Sequence, residues 1–125
     1  MGNTVLVDTN FLLIPGRKHR DVIGELQKEG YAIFTLRSVV KELESLSQGT
    51  SNTAGEARLA LSLIKQKGLK VVPSSVEYAD EAILAYCRTH KCSVATQDLA
   101  LRRALRSAGI PIVSLNRSGK LTGGN

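Results

Sequence analysis

Thr4-Val5-Leu6-Val7-Asp8-Thr9-Asn10 is the stretch on which the fold turns: a short aliphatic run that ends on an acid, with no glycine-rich phosphate loop behind it. An unbroken apolar run of this length fits a strand buried on both faces, as in a parallel sheet. Asp8 then emerges at the carboxyl end of a central strand, the edge at which open α/β sheets bind their ligands. A strand-ending Asp that hydrogen-bonds its own turn is the bland reading of the same position.

Working outward, strand-type runs over 4–8, 31–35, 69–72, 92–96 and 111–115 alternate with helix-type runs near 17–28, 38–47, 54–67, 76–90 and 98–108. This alternation predicts an α/β fold, with a central parallel sheet of about five strands and helices on its faces. Gly30, Gly68 and Gly109 stand where helix C-termini favour glycine. Residues 1–116 read as one domain and 117–125 as a basic, flexible tail, while the uncharged Ser47 to Thr53 segment reads as a mobile loop.

A chain of 125 residues, 42% apolar and 22% charged, suits one ordinary globular domain. Its apolar runs fall well short of the ~20 residues of a membrane span, and no secretory leader is visible, which predicts a cytoplasmic protein without membrane attachment. Cys87 and Cys92 read as plain buried thiols, because His19 and His90 are the only histidines and no zinc quartet can be assembled. The net charge of +6 favours a polyanionic partner, nucleic acid above small acids. With only Phe11, Tyr31, Phe34, Tyr78 and Tyr86 as aromatics, a base-stacking platform is not expected.

Four acids carry the chemistry. Asp98 repeats the Asp8 arrangement in Val94-Ala95-Thr96-Gln97-Asp98, although the same position would serve as the N-cap of the next helix. On a helical wheel Asp80 falls within the apolar stripe of Val76, Ala79, Ile83 and Cys87, where a carboxylate requires a cation or a donor; Glu81 points to solvent. Glu42 and Glu44 border the face marked by Val39, Leu43 and Leu46 on opposite sides, and periodicity does not choose between them. Were the acids to converge, their repulsion would call for hard divalent ions such as Mg²⁺ or Mn²⁺, in keeping with metal-assisted phosphoryl chemistry. Without Asp8, Glu42, Asp80 and Asp98 the chain carries 17 bases against seven acids. Arg17, Lys18 and Arg20, and Arg102, Arg103 and Arg106 on the last helix, read either as solvated faces or as contacts to a phosphate backbone.

Taken together, Asp8-Thr9-Asn10 after a strand, Val40-Lys41-Glu42-Leu43 on a helix, Asp80 opening a helix and Ala95-Thr96-Gln97-Asp98 near the end resemble the PIN-domain ribonucleases over essentially the whole chain. That family includes VapC-type toxins and the PIN nucleases of ribosomal-RNA processing, and the run from Asp80 to Asp98 looks most like the latter. The resemblance implies a three-layer α/β/α fold and an endoribonuclease whose catalytic, metal-binding quartet is Asp8, Glu42, Asp80 and Asp98, holding Mg²⁺ or Mn²⁺. It selects Glu42 over Glu44 and gives Asn10 and Thr96 supporting roles. It implies RNA as substrate, structured or a ribosomal precursor, with a homodimer or an antitoxin as further partners. Two departures stand out: Gln97 replaces the usual Asn, and Ala100 occupies a position that is acidic in the rRNA-processing branch. They keep open a non-catalytic RNA-binding assembly factor on the same fold, beside a VapC-like toxin. Receiver and haloacid-dehalogenase-type domains fit less well, since Val71-Val72-Pro73-Ser74 and Asn10 stand where those classes need acids.

Overall fold

A strand that is to sit at the middle of a parallel sheet has to be apolar on both faces, and β1 (Thr4–Val7) is: Val5, Leu6 and Val7 expose no surface. In a computed structural model, which describes residues 3–75 and 77–123, β1 pairs in parallel with β2 (Ala32–Leu36) on one side and β4 (Ser93–Ala95) on the other. Beyond β2 lies β3 (Lys70–Val72), and beyond β4 lie β5 (Ile112–Leu115) and an antiparallel β6 (Leu121–Gly123). The order is therefore β3-β2-β1-β4-β5-β6, the expected parallel sheet of about five strands extended by an antiparallel sixth among the described residues. Succession reverses direction between β1 and β4, so a crevice opens at their carboxyl ends.

Six helices connect the strands: α1 (Thr9–Lys18), α2 (Val22–Lys28), α3 (Arg37–Leu46), α4 (Asn52–Gln66), α5 (Ala79–Thr89) and α6 (Leu99–Ser107). α1 packs on α2, α3 and α4, whereas α5 packs on β2, α3 and α6. Asp8, Asp21, Ser51 and Asp98 cap four of the helices, each accepting a hydrogen bond from the backbone N–H three residues on. The core runs through the sheet and its helices and includes Phe11, Leu12, Ile23, Leu43, Ile83 and Leu105. Among the described residues no helix is long and apolar enough to cross a membrane.

Three sequence expectations change. The helix expected over 17–28 is two helices: α1 begins at Thr9 and carries Pro15 inside it, and the break comes at His19, whose φ of 50° is left-handed. Pro15-Gly16 resembles a stop signal, but the buried Phe11-Leu12-Leu13-Ile14 face holds the helix through it. Residues 117–123 of the expected flexible tail form a hairpin, with Asn116 Oδ1 accepting from Ser118 Oγ and Lys120 N and with β6 laid on β5; residues 124–125 lie outside the described ones. Finally, Val76, assigned to the stripe of α5, also lies outside the described residues, and the helix starts at Ala79. The Ser47 to Thr53 loop is fastened by Arg58, whose Nη1 donates to the carbonyls of Ser47 and Gly49.

Gly123 has a φ of 96°, and a Cβ there would collide with the carbonyl oxygen of Ile112. Gly123→Ala is expected to peel β6 from β5 and to lower stability by about 1–3 kcal/mol, read as a reduced melting temperature. An unchanged melt would mean that the hairpin adds nothing to the fold.

Candidate active site

Asp8 stands one residue beyond β1, where the register aligns Val7 with Ala95, and its backbone N–H continues the ladder to the Ala95 carbonyl at 3.2 Å. Its side chain turns into the crevice and is 3% exposed. Oδ1 caps α1 by accepting from Phe11 N at 2.7 Å, and Oδ2 accepts from the Thr96 hydroxyl at 2.5 Å. That hydroxyl in turn accepts from Asp98 N at 3.0 Å, and Asp98 Oδ1 accepts from Leu101 N at 2.8 Å as the cap of α6. A continuous relay thus joins Asp8 to Asp98 through Thr96.

Glu42 comes from α3, which follows β2. Its Oε1 accepts from Thr9 Oγ1 at 2.5 Å, and Thr9 is the buried first residue of α1, beside Asp8. Glu44 instead faces Arg37 at 3.7 Å on the exposed side of the helix. Of the two glutamates, Glu42 is the one bonded beside Asp8. Thr9 escaped the sequence reading as a site residue; the only signal was its place directly after Asp8.

Asp80 corrects an expectation. The buried face of α5 is centred on Ala79, Ala82 and Ile83, with Tyr86 half-buried below them, so Asp80 moves from the middle of the stripe to its exposed border in the first helical turn. It stays within electrostatic reach of the crevice: partial burial raises its pKa, helped by the charges of Asp98 and then Glu42. Asp8 is pushed up from 3.8 to about 7, chiefly by burial, against the lowering effect of the Thr96 and Phe11 hydrogen bonds and with smaller contributions from Asp80 and Asp98. The four acids therefore form one linked group at the carboxyl ends of β1 and β4. Among the described residues no three such side chains make a preformed metal cage. Mg²⁺ keeps several waters and takes one or two carboxylates directly, so an open group with one desolvated member fits such an ion.

The remaining expected residues divide by place. Asn10, half-buried, is the second residue of α1 and makes no side-chain hydrogen bond among the described residues. Gln97 turns from the acids and splices onto β5, its Oε1 accepting from Leu115 N at 2.7 Å and its Nε2 donating to Leu115 O at 3.4 Å. Arg17 pairs with Glu56 at 2.7 Å and Arg20 grips Glu25 with two bonds of 2.7 Å; with Lys18 they lie at the far end of α1, roughly 15 Å from Asp8 at ~1.5 Å per residue. Of the two basic groups, only α6 starts in the crevice. Arg103 and Arg106 are exposed on it, while Arg102 is half-buried with its Nε lacking a partner.

A family profile described as a PIN like domain matches residues 5–118. Ribonuclease VapC9 of Archaeoglobus fulgidus is 32% identical over 111 residues, which cover 86% of this chain and 78% of the relative. Ribonuclease VapC4 of Methanocaldococcus jannaschii is 32% identical over 115 residues, covering 87% of each.

The Asp8 shift fixes the sign of a pH effect. Its carboxyl binds the proton more tightly folded than unfolded, so its contribution to stability is full below about pH 4 and is lost as the pH rises through about 7. The whole loss amounts to about 4 kcal/mol. In chelator, the stability of Asp8→Asn relative to the parent is expected to rise across this window and level off above it. A difference that does not vary with pH would contradict the buried carboxyl.

Proposed function

The chain belongs to the PIN-like domain family, and from that premise we propose that it is a metal-dependent endoribonuclease that hydrolyses RNA phosphodiester bonds at Asp8, Glu42, Asp80 and Asp98. The observation that carries this reading is the electrostatic linkage of four acids at the sheet's switch point, around a carboxyl held near pKa 7. A cation would balance such a group, and Mg²⁺ or Mn²⁺ suits its all-oxygen donors. Bound there, the ion would lower the pKa of a coordinated water and neutralise charge on the scissile phosphate.

The chain's own residues do the positioning. Thr96 holds Asp8 and Asp98 in one arrangement, Thr9 aims Glu42 from the neighbouring strand end, and Asn10 offers an amide at the rim. Arg103 and Arg106 extend a positive surface from Asp98 along α6, suited to a sequence-independent hold on the RNA backbone. Arg17 and Arg20 are engaged by Glu56 and Glu25, which leaves Lys18 as the base of that group with no ion pair among the described residues.

Two relatives carrying the name VapC weigh toward the toxin-type branch over ribosomal-RNA processing, which rests on the Asp80 to Asp98 run alone. In this reading a small antitoxin would hold the nuclease in check and cellular RNA in the cytoplasm would be its substrate; a homodimer rests on the family resemblance. Gln97, spliced to β5, gives the non-catalytic alternative little support.

End-labelled structured and single-stranded RNA, incubated with the protein in Mn²⁺, Mg²⁺ or chelator, tests the proposal. Cleavage is expected only with metal and should fall by at least about 100-fold in Asp8→Asn, the scale on which loss of one electrostatic group slows such reactions. RNA binding without cleavage in any metal would turn the reading to an assembly factor. Thr9→Val is expected to weaken Mn²⁺ binding by about 10-fold, measured calorimetrically, at an unchanged melting temperature. Unaltered affinity would remove Thr9 from the site.

A further inference from the structure

Away from the acids, at the opposite end of α5, Cys87 and Cys92 bring their sulfurs to 3.6 Å. Both are free thiols and half-buried. Cys87 lies in the last turns of α5 and Cys92 directly before β4, so the two are joined by the helix end Arg88-Thr89 and the short connection His90-Lys91. That connection is braced: His90 stacks on Tyr86 with ring centroids 4.0 Å apart, and Tyr86 leans on Phe34. The sulfurs need to close by about 1.6 Å to reach the roughly 2.0 Å of a disulfide.

We propose that Cys87 and Cys92 form a redox modification site, a dithiol that a low-molecular-weight disulfide oxidises to a reversible intrachain bond. Either sulfur can donate its proton to the other, so the contact stabilises a thiolate on its partner. The residues between the two cysteines include Arg88 and Lys91 and no acid, which favours an anionic oxidant such as glutathione disulfide.

The steps balance. The thiolate of one cysteine attacks one sulfur of the oxidant, forming a mixed disulfide and expelling one glutathione thiolate. The other cysteine then gives up its proton to solvent and attacks the sulfur of the first, forming the intrachain bond and expelling the second glutathione. The protein loses two electrons and two protons, and the oxidant becomes two thiols. This site does not depend on the nuclease reading.

The test equilibrates the reduced full chain in mixtures of glutathione and glutathione disulfide, quenches with an alkylating reagent and reads the intact mass. The expected outcome is the joint loss of both alkylation sites and a mass lower by two hydrogens, reversed by dithiothreitol. Two alkylatable thiols at every ratio, a lasting glutathione adduct on the parent protein, or a covalent dimer would each overturn the site. At least one of Cys87→Ser and Cys92→Ser should hold a lasting glutathione adduct on its remaining thiol, and no adduct on either would overturn the site.

Discussion

Pairing of β1 with β4 withdraws the Asp8 carboxyl from water, and the surrounding structure is organised to bear that cost. A carboxylate buried without compensation is destabilising by several kcal/mol, so its oxygens are engaged by the first turn of α1 and by the Thr96 hydroxyl. Neither bond offsets burial in full, as the high pKa of Asp8 records. Thr96 is itself held by the backbone N–H of Asp98, so the ends of two adjacent strands and the starts of two helices are fixed in one network. Fold and site share the same contacts here, and a change to one reaches the other.

The bland reading of Asp8 and Asp98 holds, and it occupies only one oxygen of each. Each caps its helix through Oδ1, as a structural acid would. For Asp98 that leaves the second oxygen without a hydrogen bond among the described residues, whereas in Asp8 the second oxygen meets Thr96. A capping signature in a sequence therefore says little against a role in chemistry when the helix begins at the switch point of a parallel sheet.

How much of this was legible in the sequence depended on how local the physics was. The β1 run and the acids after β1 and β4 were readable because strand burial and helix capping act over a few residues. Asp80 was misplaced because a wheel finds the apolar stripe but not its centre, which packing by Ala79, Ala82 and Ile83 decides. Thr9 to Glu42 spans 33 residues and Arg17 to Glu56 spans 39, contacts that exist only once α1, α3 and α4 have docked. The same holds for α1 itself, whose helix persists through Pro15 because its apolar face is buried. β6 was hidden because a three-residue strand with glycine at its end carries almost no pattern until β5 is there to receive it.

The two margins of the sheet have a consequence for how the chain behaves among its own copies. An uncovered strand offers unpaired N–H and C=O groups to any passing strand, the usual route to edge-to-edge aggregation. On one side β6 occupies the free flank of β5, and it is only three residues long. On the other side β3 is equally short, opens with a lysine and runs into Pro73, which has no N–H to donate. Growth of the sheet by strand addition is thereby discouraged at both ends, and association of this chain with others is directed to its helical faces and loops.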